Sequence, residues 1–242
     1  MRPTTALGAV AVIGVIMTST AVPVADAAGG PGLATSKNRY RTGQSVVIRV
    51  RNDSEQWLRL KDAWRIRRAR SGEVIARRRW RGDSAIVRPG GRRTWRWDQR
   101  TTGCNKTRAS CPRVGPGRFE VVVKTGTETL TTTFQIGRYF TLGFDGSNAT
   151  FVVFVRERKP MRQMSKEAEK KDKTLIVSGI VRGKAGYNPD WSYSMGPGSI
   201  VLGEAFIETC DASPEYVEKN RDQWMGQRWC PWSSYVDKQG KP

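Results

Sequence analysis

Between residues 44 and 136 the sequence is cut into short runs of alternating apolar and polar residues, each closed by a turn signal. Residues 44–50 (QSVVIRV), 57–60 (WLRL), 64–66 (WRI), 73–75 (EVI), 86–87 (IV), 94–97 (TWRW), 118–124 (RFEVVVK) and 129–136 (TLTTTFQI) are strand candidates. Asn52-Asp53-Ser54, Ser71-Gly72, Pro89-Gly90-Gly91 and Gly115-Pro116-Gly117 punctuate them. Such runs are too short for helices, and their Val, Ile, Thr and Trp content suits a pleated, half-buried surface. Seven or eight short strands with turns about every 8–12 residues predict a β-sandwich.

Arginine is threaded through this pattern. In Trp64-Arg65-Ile66-Arg67 and Thr94-Trp95-Arg96-Trp97 it alternates with apolar residues at period two. The apolar side chains then face a core and the guanidiniums face water. A sheet face carrying Arg49, Arg51, Arg59, Arg65 and Arg96 would be strongly positive.

Charge divides the chain. The net charge is +20, but residues 30–137 hold 25 Lys and Arg against 8 Asp and Glu, and residues 138–242 hold 16 against 13. The basic character belongs to the first half, which argues for two separately built units. Beyond Gly137, residues 139–144 (YFTLGF) and 150–155 (TFVVFV) flank Asp145-Gly146-Ser147-Asn148, a hairpin signal. Residues 160–171 and 214–224 read as helices, the first with Pro at its start and the second with acidic residues in its first turn. Residues 175–181 (LIVSGIV) and 200–208 (IVLGEAFIE) read as strands. The second half is thus expected to be a small α+β unit.

Arg2, the apolar stretch 6–17 (ALGAVAVIGVIM) and Ala25-Asp26-Ala27 have the order of a signal peptide and its cleavage site. That apolar stretch is too short for the roughly 30 Å hydrocarbon core of a bilayer. Export is expected, leaving no membrane segment after cleavage. The expected organisation is a signal peptide at 1–27, a flexible leader at 28–37, a basic β-sandwich at 38–137 and an α+β domain at 138–238.

An even cysteine count in an exported chain points to disulfides. Three pairings of Cys104, Cys111, Cys210 and Cys230 are possible. The local one is favoured because each pair then falls within one unit. Zinc is disfavoured by the missing C-x-x-C spacing and by the absence of histidine from all 242 residues. The missing histidine also removes Ser-His-Asp and Cys-His hydrolases.

The first half resembles the family of the Bacillus intracellular proteinase inhibitor, an immunoglobulin-like β-sandwich. The likeness is carried by Tyr40, Gly43, Val46 to Asn52, Val87-Arg88-Pro89-Gly90, Trp95-Arg96-Trp97-Asp98-Gln99 and Gly115-Pro116-Gly117-Arg118-Phe119. It implies protease inhibition or protein docking. Residues 139–237 resemble the amino-terminal domain of a slime-mould calmodulin-binding protein. Here the carriers are Tyr187-Asn188-Pro189-Asp190-Trp191, Glu208-Thr209-Cys210-Asp211-Ala212-Ser213 and Trp229-Cys230-Pro231-Trp232-Ser233-Ser234. That likeness supports a Cys210–Cys230 bridge and implies calmodulin as a partner.

Arg65, Arg67, Arg77, Arg78, Arg79, Trp80, Arg92, Arg93 and Arg96 are the candidate binding residues. Guanidiniums beside indoles suit anionic polymers, through bidentate contacts and stacking. An anionic cell-surface polymer is preferred to nucleic acid because export is expected. Met161, Met164 and Ala168 fall on one face of a basic helix, a pattern of calmodulin targets and membrane surfaces but also of helices that dock on their own domain. Asp190, Glu204, Glu208 and Asp211 are the only route to catalysis, as carboxylates of a glycosidase; Asp211 also suits a cap. No catalytic residue, metal or cofactor is assigned. The expectation is an all-β immunoglobulin-like sandwich followed by a small α+β domain, in an exported, non-catalytic binding protein. Its partner is an unidentified protein or, alternatively, an anionic polymer held by the arginine face.

Overall fold

The computed structural model describes residues 29–78, 85–102 and 111–240, and the signal-peptide segment at 1–27 lies outside them. In chain order, β1 (Pro31–Thr35), β2 (Arg39–Arg41), β3 (Val46–Asn52), β4 (Leu58–Leu60), β5 (Trp64–Arg68), β6 (Val74–Arg78), β7 (Ala85–Val87), β8 (Arg92–Trp97) and β9 (Gly117–Lys124) precede a long strand, β10 (Thr129–Phe144). Then follow β11 (Ser147–Val155), helix α1 (Arg158–Glu169), β12 (Ile176–Gly183), β13 (Tyr193–Met195) and β14 (Val201–Gly203). Helices α2 (Pro214–Lys219) and α3 (Arg221–Trp224) and strands β15 (Arg228–Trp229) and β16 (Ser234–Gly240) complete the series. The protein is mostly β-strand, with few helices and several sheets.

One sheet has the order β1-β3-β8, and another runs β11-β10-β9-β5-β6. The alternation read from the sequence decides which side chains meet between them. Val46, Ile48, Val50, Trp95 and Trp97 from the first sheet share one buried cluster with Trp64, Ile66, Phe119, Val121, Phe134 and Ile136 from the second. Trp97 meets Phe134 edge-on at 6.2 Å, an arrangement aromatic quadrupoles favour. Truncating a buried Trp of this kind costs about 3–5 kcal/mol.

Three sequence expectations change. Residues 31–35, expected in a flexible leader, form β1 and pair with β3 from Pro31↔Asn52 to Thr35↔Ile48. The composition there is Gly- and Ala-rich and carries no strand signal. The open edge of β3 supplies the backbone partners and the core accepts Leu33. The 200–208 strand stops at Gly203, because the next N–H groups of the facing strand, on Leu175 and Thr174, are donated to Glu167 Oε1 at 3.1 and 2.6 Å. The 214–224 helix breaks at Asn220 (φ −111°, ψ 27°) into α2 and α3. Ser213, not Asp211, caps α2 by accepting from Tyr216 N.

β10 crosses the position expected as a boundary. Residues 129–136 pair with β9, whereas residues 138–144 pair with β11 and 139–144 with β16. A second buried cluster gathers Phe140, Leu142, Phe151, Met164, Tyr193, Trp229 and Val236 on the far side. Gly137 lies between, where a methyl group would overlap the Val155 carbonyl oxygen and the Phe154 ring. Arg39 of β2 stacks over Tyr187, 5.0 Å from the ring centroid, and adds a cation–π contact across the junction. Cys210 and Cys230 form a disulfide, with Cα atoms 5.2 Å apart.

Candidate functional site

The arginines do not form one face. In the β3–β8 register Arg51 lies opposite Arg92, Arg49 opposite Thr94 and Val47 opposite Arg96. These positions alternate with the buried Ile48, Val50, Trp95 and Trp97, so they point away from the core. Arg65 and Arg77 lie opposite each other on β5 and β6. Their sheet packs on the same core from the other side, so its outer face looks the opposite way. The single positive face holding both Arg65 and Arg96 is therefore corrected to two faces.

The two faces differ in charge balance. On the β5 side, Arg65 pairs with Asp62, and Arg67 Nε is 2.5 Å from Glu120 Oε2. On the β3–β8 side Arg51 is matched to Asp53 at 2.5 Å. Among the described residues, Arg49, Arg92 and Arg96 are in no ion pair.

A groove of about 500 Å³ adjoins this face, lined by Arg51, Ile86, Arg88, Arg92 and Arg93 with the Gly90-Gly91 turn. Asn52 builds its wall. The side chain is fully buried and its Nδ2 donates to Gln56 O at 2.8 Å and Val87 O at 2.9 Å. Its backbone exchanges hydrogen bonds with Gly90 and Gly91 at 2.8 and 2.9 Å. Those bonds fix the turn that carries Arg88 beside Arg92. Arg88 was not singled out from the sequence; the Arg-Pro-Gly-Gly turn signal next to β8 is the only local hint of it.

The remaining assignments are scattered. Arg78 ends β6, and Arg79, Trp80 and Cys104 lie outside the described residues. Cys111 is disulfide-bonded. Asp190, Glu204, Glu208 and Asp211 are all exposed, and Asp211 Oδ1 accepts the Trp232 backbone N–H at 2.8 Å. Glu204 and Glu208 do not share a strand face, since β14 ends before both. Among the described residues no three His, Cys, Asp or Glu side chains gather as metal ligands. Asp145-Gly146 forms a hairpin turn, with Gly146 at φ 74°.

α1 uses its apolar face within the fold. Met164 is fully buried in the second cluster, and Met161 and Ala168 pack against it. Trp229 is buried and donates from Nε1 to Ala212 O at 2.9 Å beside the disulfide, whereas Trp232 is 42% exposed. Tyr193 donates to Pro214 O at 3.0 Å; burial pushes its hydroxyl pKa far up, and Glu218 and Glu215 add to the rise.

Residues 137–242 match a family model, that of the N-terminal domain of a calmodulin-binding protein. No curated protein matches the chain. Among solved structures, an alkylpurine DNA glycosylase of Pseudomonas fluorescens, bound to abasic-site DNA, is 18% identical at TM-score 0.28, over 44% of this chain and 30% of its own. A β-glucosidase of Erythrobacter marinus is 14% identical at TM-score 0.26, over 45% of this chain and 15% of its own. A β-glucosidase of Listeria innocua is 14% identical at TM-score 0.24, over 44% and 16%. The chain spans less than a third of the length of each.

Proposed function

We propose, with the match of the second half to the N-terminal domain of a calmodulin-binding protein as the premise, that this is an exported, non-catalytic binding protein with a cationic module fused ahead of that domain. The module at 38–137 is read as an immunoglobulin-like sandwich that holds an anionic cell-surface polymer. The sheet orders support the sandwich: β1-β3-β8 faces β10-β9-β5-β6, with β2 running parallel to β10 at the edge. Export rests on the pattern of residues 1–27.

The observation that carries the binding reading is the shared outer face of Arg49, Arg92 and Arg96, none of them balanced by a carboxylate among the described residues. Guanidiniums stay charged at any working pH and offer fork-shaped donors to phosphate or sulfate oxygens. A row of them along a strand pair follows a linear polyanion, and binding releases the polymer's counterions, so affinity falls steeply with salt.

The test is binding of long-chain inorganic polyphosphate by the purified protein at low and high salt. The Arg92→Ala/Arg96→Ala double variant should weaken binding about tenfold or more, as expected for lost charge-assisted contacts. Arg65→Ala, whose charge Asp62 already balances, should change it less than about twofold. Equal losses in the two variants, or no salt-sensitive binding, would overturn the proposal.

A second reading, protein docking of the proteinase-inhibitor kind, is favoured by Trp57 and Ile86. These are 69% and 57% exposed; Ile86 lies on the β4–β7 ribbon next to the groove, and Trp57 immediately precedes β4. Stoichiometric inhibition of a serine proteinase that survives high salt and disappears in Trp57→Ala would select it.

A further inference from the structure

The junction of the two halves holds a second cationic site that no sequence pattern announces. A cleft of about 430 Å³ opens between the loop before β9 and helix α1, and four arginines line it: Arg113, Arg138, Arg158 and Arg162. They come from three places in the chain. Arg113 belongs to the loop, Arg138 to β10, and Arg158 and Arg162 to α1. Arg158, Met161, Arg162 and Ser165 are spaced i, i+3, i+4 and i+7, so one face of α1 forms a whole wall.

The cleft is built rather than incidental. Arg138 Nη1 is held 3.0 Å from Gln239 Oε1 and 3.4 Å from Ser165 Oγ. The Arg158 guanidinium lies against Gly115, where a methyl group would sit 3.2 Å from both Nε and Nη2. Val114, Pro116 and Met161 give an apolar floor, and Val114 is 4% exposed. No carboxylate lines the cleft, and none of the four arginines forms an ion pair among the described residues.

Four guanidiniums around one cleft repel each other, and an apolar floor lowers the screening between them. They cannot relieve the repulsion by releasing protons, since a guanidinium remains protonated in proteins. A bound anion relieves it. A carboxylate has two oxygens and is satisfied by one or two forks, whereas a tetrahedral phosphoryl group presents oxygens in several directions. We infer that this cleft binds a small phosphoryl anion, free or as an ester, and that the bound anion ties the two halves together through Arg113 on one side and Arg138, Arg158 and Arg162 on the other. This is independent of the sheet-face proposal, because none of the four lies on β3 or β8.

The test is titration calorimetry of the full chain with inorganic pyrophosphate, and separately with glycerol 1-phosphate, followed by thermal unfolding with and without each. Saturable one-to-one binding is expected, weakened about tenfold by Arg113→Ala or Arg158→Ala and unaffected by Arg96→Ala. Arg158→Lys keeps the charge but loses the fork and should lie between. Pyrophosphate at about 100 times its Kd should raise the unfolding midpoint of the chain, and the rise should vanish in Arg113→Ala. Tighter binding of pyrophosphate assigns a free anion, and tighter binding of glycerol 1-phosphate assigns an ester. Absence of saturable binding of both, or binding that Arg113→Ala and Arg158→Ala leave intact while Arg96→Ala abolishes it, would overturn the inference.

Discussion

Gln99 Oε1 accepts a 2.7 Å hydrogen bond from the backbone N–H of Gly43, 56 positions earlier in the chain. From the other end of the same amide, Nε2 donates to Arg41 O at 2.8 Å and Gln44 O at 2.7 Å. The side chain is fully buried, and its backbone is left-handed at φ 60°, a cost for any residue with a Cβ. One amide thus fastens the β2–β3 turn to the end of β8. Gly43, at φ 86°, supplies the other half of the device.

Gln99→Ala should therefore destabilise the protein by roughly 2–4 kcal/mol, because it leaves buried backbone groups without partners. Urea unfolding should show a lower midpoint at an unchanged slope. Gln99→Gly should lose somewhat less, since it relieves the left-handed backbone while losing the same hydrogen bonds. A variant as stable as the parent would show that water replaces the amide.

Glu167 links α1 to β12 and makes stability fall in acid. Burial raises its pKa, but hydrogen bonds from Lys170 and from the Thr174 and Leu175 N–H groups outweigh that and hold it below the usual carboxylate value. A depressed folded pKa stabilises the protein above the unfolded value, near 4.3, and the contribution is lost as pH falls through the folded value. Unfolding followed from pH 7 to pH 2 should show stability dropping below about pH 5. Glu167→Gln should be less stable at neutral pH and less acid-sensitive.

The Cys210–Cys230 bridge closes a loop with a sequence separation of 20 residues that carries α2 and α3. Restricting the unfolded chain over such a loop is worth about 3 kcal/mol. Cys210→Ser/Cys230→Ser should lose close to that amount in thermal unfolding. Trp229 fluorescence should change with the transition, because its indole is buried beside the bridge.

Much of the strand framework was legible in the sequence. The eight runs between residues 44 and 136 coincide with β3 to β10, since alternation and turn residues are local signals. β1 and β16 were missed because each depends on a partner elsewhere, β3 for one and β10 for the other. The bend at Asn220 follows no residue that forbids helix.

The site was less legible. Period two told that Arg65 and Arg96 each point outward, but outward from which sheet depends on pairing between residues far apart in the chain. Arg113 and Arg158 have no common sequence pattern and meet only because β10 runs unbroken from one core into the next.

By itself, the amino-acid order determined the alternating strands, the turns, the charge excess of the first half and the apolar face of α1, all properties of neighbouring residues. Only the tertiary structure decided that the arginines divide between two opposite faces, that Asp62 and Glu120 balance one of them, and that four more line the junction. The reason is physical: side-chain direction is set within a strand or helix turn, whereas charge balance is set by whatever long-range packing brings within a few ångströms.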